Sequence, residues 1–282
     1  MSDKLLATYG LKWDPFSPDV PVEALWASAE IEHFLSRVKV LLRNGGFALI
    51  TGEPGAGKSV ALRLLAHHLN TLPDVMVGVI SRPQSALVDF YRELGDLFDV
   101  PLVPHNRWGG FKTLRQKWLT HLDTALHRPV LLVDEAQEMH PAVLAEIRLL
   151  SSTHFDSRSI LTTVLCGDAR LTQQFHHQDL LPLASRIRVR LLLDAYSPQK
   201  LLDFLRHALQ AAGNSSLMTP ALMATLAEHA NGNPRLLCHL ASDLLAHGLD
   251  RQLAQLDEKH YLDVFAPQHK PRGRAHAPAR AS

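Results

Sequence analysis

Cysteine is nearly missing. Cys166 and Cys238 are the only two in 282 residues. That is too few for a disulfide framework and predicts a reducing compartment. Long apolar runs are missing too. No stretch approaches the roughly 18 residues that a membrane-spanning helix needs, and the opening MSDKLLATYG lacks the apolar core of a secretory signal. These absences predict a cytoplasmic chain with no membrane span. An excess of one charge is missing as well. Lys plus Arg number 29 and Asp plus Glu 28, a net charge of +1, which excludes a histone-like blanket of positive charge but leaves room for a local basic patch. Metal-ligand spacing is absent despite 17 histidines. His67-His68 and His176-His177 are adjacent pairs, which on helices point to different sides, and no H-x-x-x-H or C-x-x-C unit supports them. What is present is ordinary for a folded protein: 46% hydrophobic and 20% charged residues, enough to bury a core in one large or two modest domains.

The pattern divides the chain into four parts: 1–45, 46–193, 194–265 and 266–282. Tyr9-Gly10-Leu11, Asp14-Pro15-Phe16 and three prolines (Pro15, Pro18, Pro21) make the first part largely loop. A helix closes it from about Ala29 to Arg43, with Ile31, Phe34, Leu35, Val38 and Leu41 on one face; the part is expected to pack on the core that follows. From Gly46, short apolar runs alternate with amphipathic stretches. Strands are predicted over Phe47–Ile50, Val75–Ile80, Val130–Val133, Ile160–Leu165 and Ile187–Leu193, and helices over Lys58–Leu69, Ala86–Phe98, Phe111–Leu126 and Ala142–Leu150. Apolar strands separated by helices predict an α/β domain whose parallel sheet is covered on both faces. After Asp194 the strands stop. Ser197-Pro198, Thr219-Pro220 and Asn233-Pro234 each set a small polar residue before a proline, a helix-start signature, and a short helix is expected over Asp257–Phe265. The segment Ala266–Ser282 holds Lys270, Arg272, Arg274 and Arg280 with no acid, which predicts a basic, unstructured tail.

The strongest motif is Gly52-Glu53-Pro54-Gly55-Ala56-Gly57-Lys58-Ser59. It fits G-x-x-x-x-G-K-[ST] at every fixed position and lies between a predicted strand and a helix start, as a phosphate-binding P-loop must. The glycines let successive N–H groups turn toward phosphate oxygens, and the helix N-terminus adds positive potential. The expected nucleotide-binding set is Gly52, Glu53, Pro54, Gly55, Ala56, Gly57, Lys58, Ser59 and the following Val60. Lys58 would reach the β- and γ-phosphates of ATP, and the Ser59 hydroxyl would bind Mg²⁺. The second motif is the strand Val130-Leu131-Leu132-Val133 ending in Asp134-Glu135, the usual acidic partner of a P-loop. Asp134 is expected to hold Mg²⁺ and Glu135 to polarise the attacking water. Gln137 stays open between orienting water or a neighbouring subunit and a plain surface amide. Cys166 lies near the pocket without a base partner and reads as packing.

With these motifs placed, the sequence resembles the AAA+ ATPases, specifically the ExeA/TniB/TnsC/MuB-like group, from Tyr9 to about Asp263. Tyr9-Gly10-Leu11 with Asp14-Pro15-Phe16 is similar to that group's opening, Asp134-Glu135-Ala136-Gln137 to its acidic motif, and Asn231-Gly232-Asn233-Pro234-Arg235-Leu236 to a segment of its helical lid. The resemblance implies a five-stranded parallel sheet in the order 5-1-4-3-2, strands counted along the chain, and a C-terminal helical lid. It implies sensor 1 at Asp168, sensor 2 at Arg235 reaching the nucleotide from the lid, and an arginine finger at Arg186 acting on the adjacent subunit, with Arg188 and Arg190 as alternatives for that finger. It implies self-association into a ring or filament.

Phosphate chemistry does not name the target of the ATP. The helix over Ala86–Phe98 looks like the extra helix of initiator-type relatives. Beyond it, Val100–Leu122 carries Arg107, Lys112, Arg115 and Lys117, with Trp108 and Trp118 among them and no acid. That stretch is a candidate surface for the backbone of double-stranded DNA, with a solvated basic face as the even alternative. Two classes follow. One is a DNA-binding ATPase that assembles on DNA and recruits or stimulates a transposase. The other is a secretion-associated ATPase of the ExeA type. Relatives of the second kind look longer, with a membrane span and a peptidoglycan-binding part, and the missing span favours the first.

Overall fold

Strand placement follows burial. In the computed structural model, which describes residues 2–81, 83, 86–102, 106–155 and 157–265, each central strand is an apolar run covered on both faces. The chain opens with helix α1 (Ser2–Tyr9), followed by α2 (Ala29–Asn44). Strand β1 (Gly46–Gly52) leads through the P-loop into α3 (Lys58–Asn70), then β2 (Val77–Ile80), α4 (Leu87–Leu97), α5 (Arg107–Thr124) and β3 (Val130–Val133). Helix α6 (Pro141–Leu150) is followed by a hairpin of β4 (Ser152–Thr153) and β5 (Arg158–Ser159). Strand β6 (Thr162–Gly167), the short helices α7 (Ala169–Gln174) and α8 (Leu181–Ala184), and β7 (Ile187–Leu193) complete the α/β part. The expected basic tail, 266–282, lies outside the described residues.

The five long strands form one parallel sheet in the order β2-β3-β6-β1-β7. Counted along the chain these are strands 2-3-4-1-5, which is the expected order read from its other edge. Strand β1 lies between β6 and β7, pairing Thr51 with Gly167 of β6 and Gly52 with Leu193 of β7. Strand β3 joins β6 with Val133 opposite Leu165. This register brings the ends of β1, β3 and β6 to one edge, where parallel α/β sheets hold their ligands.

One core lies on each face. Phe90, Leu94, Trp118, Leu131, Leu144 and Ile147 belong to the larger. Ile31, Phe34, Val38, Leu65, Leu132 and Val164 belong to the other. Strand β7 is an edge strand: Ile187, Val189, Leu191 and Leu193 face inward while Arg188, Arg190 and Leu192 are exposed, the alternation expected of a half-covered strand.

The lid consists of α9 (Pro198–Ala212), α10 (Pro220–His229), α11 (Pro234–Asp250) and α12 (Glu258–Phe265). The three serine, threonine and asparagine N-caps read from the sequence all form. Ser197 accepts from Lys200 N, Thr219 from Leu222 N, and Asn233 from Arg235 N and Leu236 N. Each satisfies helix donors that otherwise have no partner.

Three differences from the sequence reading have physical causes. Residues Ser2–Tyr9 are helical rather than loop; Leu5 and Tyr9, four apart, bury one face in the lid core beside Leu244 and Leu245. The lid helix α11 accommodates Tyr9 at Gly248, where a Cβ would lie 2.5 Å from the Tyr9 hydroxyl. Helix α5 starts at Arg107, earlier than Phe111, because Asn106 caps it by accepting from Gly109 N at 2.8 Å. Strand β6 runs two residues later than predicted, since Leu161 leads into it and its carbonyl accepts from Gly46 N at 3.2 Å.

Candidate functional site

The P-loop is positioned by the end of β1 and the start of α3. Gly55 and Gly57 take φ of +87° and +98°, left-handed values that L side chains adopt only at a cost. Lys58 is buried, and its Nζ donates to the carbonyls of Gly52 at 2.9 Å and Glu53 at 3.2 Å. Its charge therefore sits in the mouth of the loop, held by backbone dipoles alone among its hydrogen-bond partners. Val60, on the first turn of α3, is half-buried.

Strand β3 delivers the acids. The Ser59 hydroxyl donates to Asp134 Oδ2 at 3.4 Å across 75 positions of sequence. A hydroxyl and a carboxylate facing each other beside a lysine form a set of hard oxygen donors that suits Mg²⁺. Glu135 follows with φ +50° and is exposed; its N–H donates to Asp134 Oδ1 at 2.9 Å. A non-glycine residue in this region carries of order 1–2 kcal/mol of strain, which aims the carboxylate off the strand direction. Behind the acids, Cys166 is fully buried. Burial, with Asp134 beside it, pushes its thiol far above the ordinary range, so the residue is packing, as the sequence suggests.

Asp168 lies at the end of β6 on the same edge. Its carboxylate caps α7, accepting Arg170 N at 2.9 Å, and pairs with the Arg170 guanidinium at 2.8 Å. The Arg170 bonds hold this carboxyl below its usual range. Arg170 also reaches Glu138 at 2.8 Å.

From the other side, α11 rests on the P-loop. Arg235 N lies 3.4 Å from the Gly55 carbonyl, and a Cβ on Gly55 would stand 3.0 Å from that of Arg235. Asn233 makes the closer contact through Pro54; the sequence marked it as a helix start and as part of the lid segment, not as a contact to the P-loop. Tyr196 carried no signal. Its N–H donates to the Gly232 carbonyl at 2.8 Å, its ring lies under Lys200 Nζ at 4.3 Å, and its hydroxyl faces Gly57.

Arg186 is placed elsewhere. It precedes Ile187, which pairs with Phe47 at the start of β1. The P-loop begins five residues further on, roughly 16 Å along a strand. Arg186 and Arg188 therefore lie toward the opposite end of the strands from the P-loop of their own chain, Arg190 stands opposite Leu49 at mid-strand, and Arg186 donates to the Pro182 carbonyl.

The basic stretch on α5 is largely engaged within the fold. Arg107 pairs with Glu146, Arg115 donates to the carbonyls of Leu149 and Leu150 at 3.0 and 3.2 Å, and Lys117 donates to the Asp99 carbonyl at 2.9 Å. Trp118 is core, while Trp108 is exposed and stacks on Phe111. The stretch itself has no acid, but Glu146 pairs with Arg107 and Asp99 with Lys117 at 3.7 Å from outside it, which a linear count misses.

Among the described residues no helix is long and apolar enough to cross a membrane, and no cluster of metal-ligating side chains of the His/Cys/Asp/Glu type occurs.

Residues 41–175 match a family described as AAA domain. General secretion pathway protein A from Aeromonas hydrophila is 33% identical over 234 residues, which is 81% of this chain and 42% of that protein. The chain thus spans less than half the length of that relative. Among solved structures, Cdc6p from Pyrobaculum aerophilum aligns with a TM-score of 0.68 at 16% identity, covering 86% of this chain and 67% of that one. The Aeropyrum pernix ORC1 protein in complex with DNA aligns at 0.64 with 17% identity, covering 89% and 67%. At such identities the likeness carries the fold.

Proposed function

From the premise that this chain has the AAA+ fold, with an AAA domain over residues 41–175, we propose that it is an ATP-hydrolysing module of the kind found in general secretion pathway protein A. The P-loop amides and Lys58 would hold the phosphates of ATP, and Ser59 and Asp134 would hold Mg²⁺. That ion, when bound, neutralises charge on the phosphates. Glu135 takes the proton of the attacking water, and Arg235 contacts the nucleotide from the lid. Arg186 completes the site of a neighbouring copy in a ring or filament, supplying fixed positive charge to it. The observation that carries the reading is the convergence of Lys58, the Ser59–Asp134 pair and Glu135 at one edge of the sheet.

The role is read as secretion-linked rather than as help to a transposase on DNA. The 33% match to the secretion protein supports this. The hydrogen bonds and ion pairs of Arg107, Arg115 and Lys117 within the fold give these cations a structural use apart from DNA. One experiment tests both parts: ATP hydrolysis by the purified chain and by Glu135→Gln, with and without duplex DNA. The expected result is hydrolysis that the substitution abolishes while ATP still binds, at a rate duplex DNA does not change. Equal turnover by the variant defeats the ATPase assignment. Strong stimulation by duplex returns the role to DNA.

A further inference from the structure

Gln137 is a polar side chain buried at the edge of the site, 5% exposed. It sits on a single turn of 3-10 helix after β3, and both ends of its amide are in use. Nε2 donates to Glu135 Oε2, and Oε1 accepts from the N–H of Asp168 at 3.2 Å. Its backbone carbonyl accepts from Gln174 Nε2 at 2.8 Å. The fold makes room for this amide: a Cβ on Gly167 would lie 2.5 Å from Gln137 Oε1. Next door, Arg170 joins Asp168 to Glu138. The turn that carries the acids is therefore tied to the end of β6 and to α7 at several points. Because the Asp168 N–H needs the amide oxygen, the amide is fixed with its nitrogen toward Glu135.

We propose that Gln137 is a positioning residue for the general base. It holds the Glu135 carboxylate at one oxygen, leaves the other for water, and locks it to the strand end that carries Asp168. This rests on the reading of Glu135 as the base. A residue of this kind changes the chemical step and leaves ground-state binding alone.

The test uses the full chain in four forms: wild type, Gln137→Met, Gly167→Ala and the double variant. Gln137→Met keeps the volume and removes both amide bonds. Gly167→Ala leaves the glutamine in place and drives its amide off the Asp168 N–H. The readouts are kcat and KM for ATP, binding of a fluorescent ATP analogue, and the melting temperature. The expected result for each single variant is a kcat lower by roughly tenfold to a hundredfold, the scale of outer-shell partners, with KM and analogue affinity within about twofold. The double variant falls no further than Gln137→Met, because the contact that Gly167→Ala breaks is already absent there. An unchanged kcat, a parallel loss of analogue binding, or independent additive losses in the double variant each overturn the proposal. Failure of the underlying ATPase reading looks different: the wild type then shows no turnover that Glu135→Gln removes, and the proposal falls with it.

Discussion

Asn233 Nδ2 donates to the carbonyl of Pro54 at 3.1 Å, joining the first turn of the lid helix to the P-loop. The same side chain caps α11 through its oxygen, which accepts from Arg235 N at 3.0 Å and Leu236 N at 3.2 Å. One amide thus fixes where α11 starts and where it rests. Asn233→Ala is expected to lose the cap, about 1 kcal/mol, and with it roughly 2–4 °C in melting temperature. It also frees the lid from the loop, so nucleotide should stabilise the variant less than it stabilises the wild type. Asn233→Asp, which keeps the cap but removes the donor to Pro54, should recover most of the intrinsic melting temperature and not the nucleotide-dependent gain. Thermal denaturation with and without ATP analogue separates the two roles.

The P-loop makes two demands that can be told apart. Lys58→Ala removes a charge that donates to the carbonyls of Gly52 and Glu53. Losing charge-assisted contacts to phosphate of about 1.5–3 kcal/mol each is expected to weaken nucleotide binding by roughly a hundredfold or more. Gly55→Ala keeps the charge but places a Cβ 2.4 Å from Asn233 Oδ1 on a backbone at φ +87°, so the loop and lid must separate. It should lower both affinity and melting temperature, whereas Lys58→Ala should lower affinity alone. Analogue titration beside calorimetry checks the split. Unchanged affinity in Lys58→Ala would defeat the phosphate assignment.

How far the sequence carried this picture depends on range. The central strands were legible because each is a short apolar run, and a doubly covered strand needs nothing else. The P-loop and Asp134-Glu135 were legible because chemistry fixes their spacing. What escaped depends on contacts distant in sequence. Helix α1 was hidden because its reason to exist is the lid helix, reached through Tyr9 and Gly248. The burial of Gln137 depends on Gly167, and nothing in the acidic motif reveals it. The partner of the basic stretch on α5 was hidden for the same reason: Glu146, which answers Arg107, is 39 positions away.

That ion pair gives a stability prediction. The Glu146 side chain is 3% exposed while Arg107 is 58% exposed, and Glu146 also accepts from the buried Tyr91 hydroxyl. Burial, together with its bond to Glu146, pushes the Tyr91 phenol well above its usual range, so the tyrosine remains a neutral donor. Arg107→Ala leaves a buried carboxylate without its cation and is expected to cost about 2–4 kcal/mol. Adding Glu146→Gln removes the stranded charge, so the double variant should be more stable than Arg107→Ala alone. Urea denaturation of the four forms measures the coupling. Simple additivity would show that Glu146 gains nothing from Arg107.

Arg186 tests whether the site is complete in one chain. It lies toward the far end of the strands from its own P-loop, since Ile187 pairs with Phe47 and the loop begins beyond Gly52. A guanidinium there serves catalysis only if another copy brings its P-loop to it. Arg186→Ala alone should bind ATP normally and turn it over poorly, and Glu135→Gln alone should behave alike. Mixed, the two variants form some junctions in which an intact arginine from the Glu135→Gln chain meets an intact base in the Arg186→Ala chain. The mixture should therefore hydrolyse ATP faster than the sum of its parts, increasingly so as protein concentration favours assembly. Repeating the mixture with Arg188→Ala and Arg190→Ala in place of Arg186→Ala identifies which of the three is the finger. A mixture no faster than its parts, under conditions where the wild type assembles and turns over, would place the role of Arg186 within its own subunit.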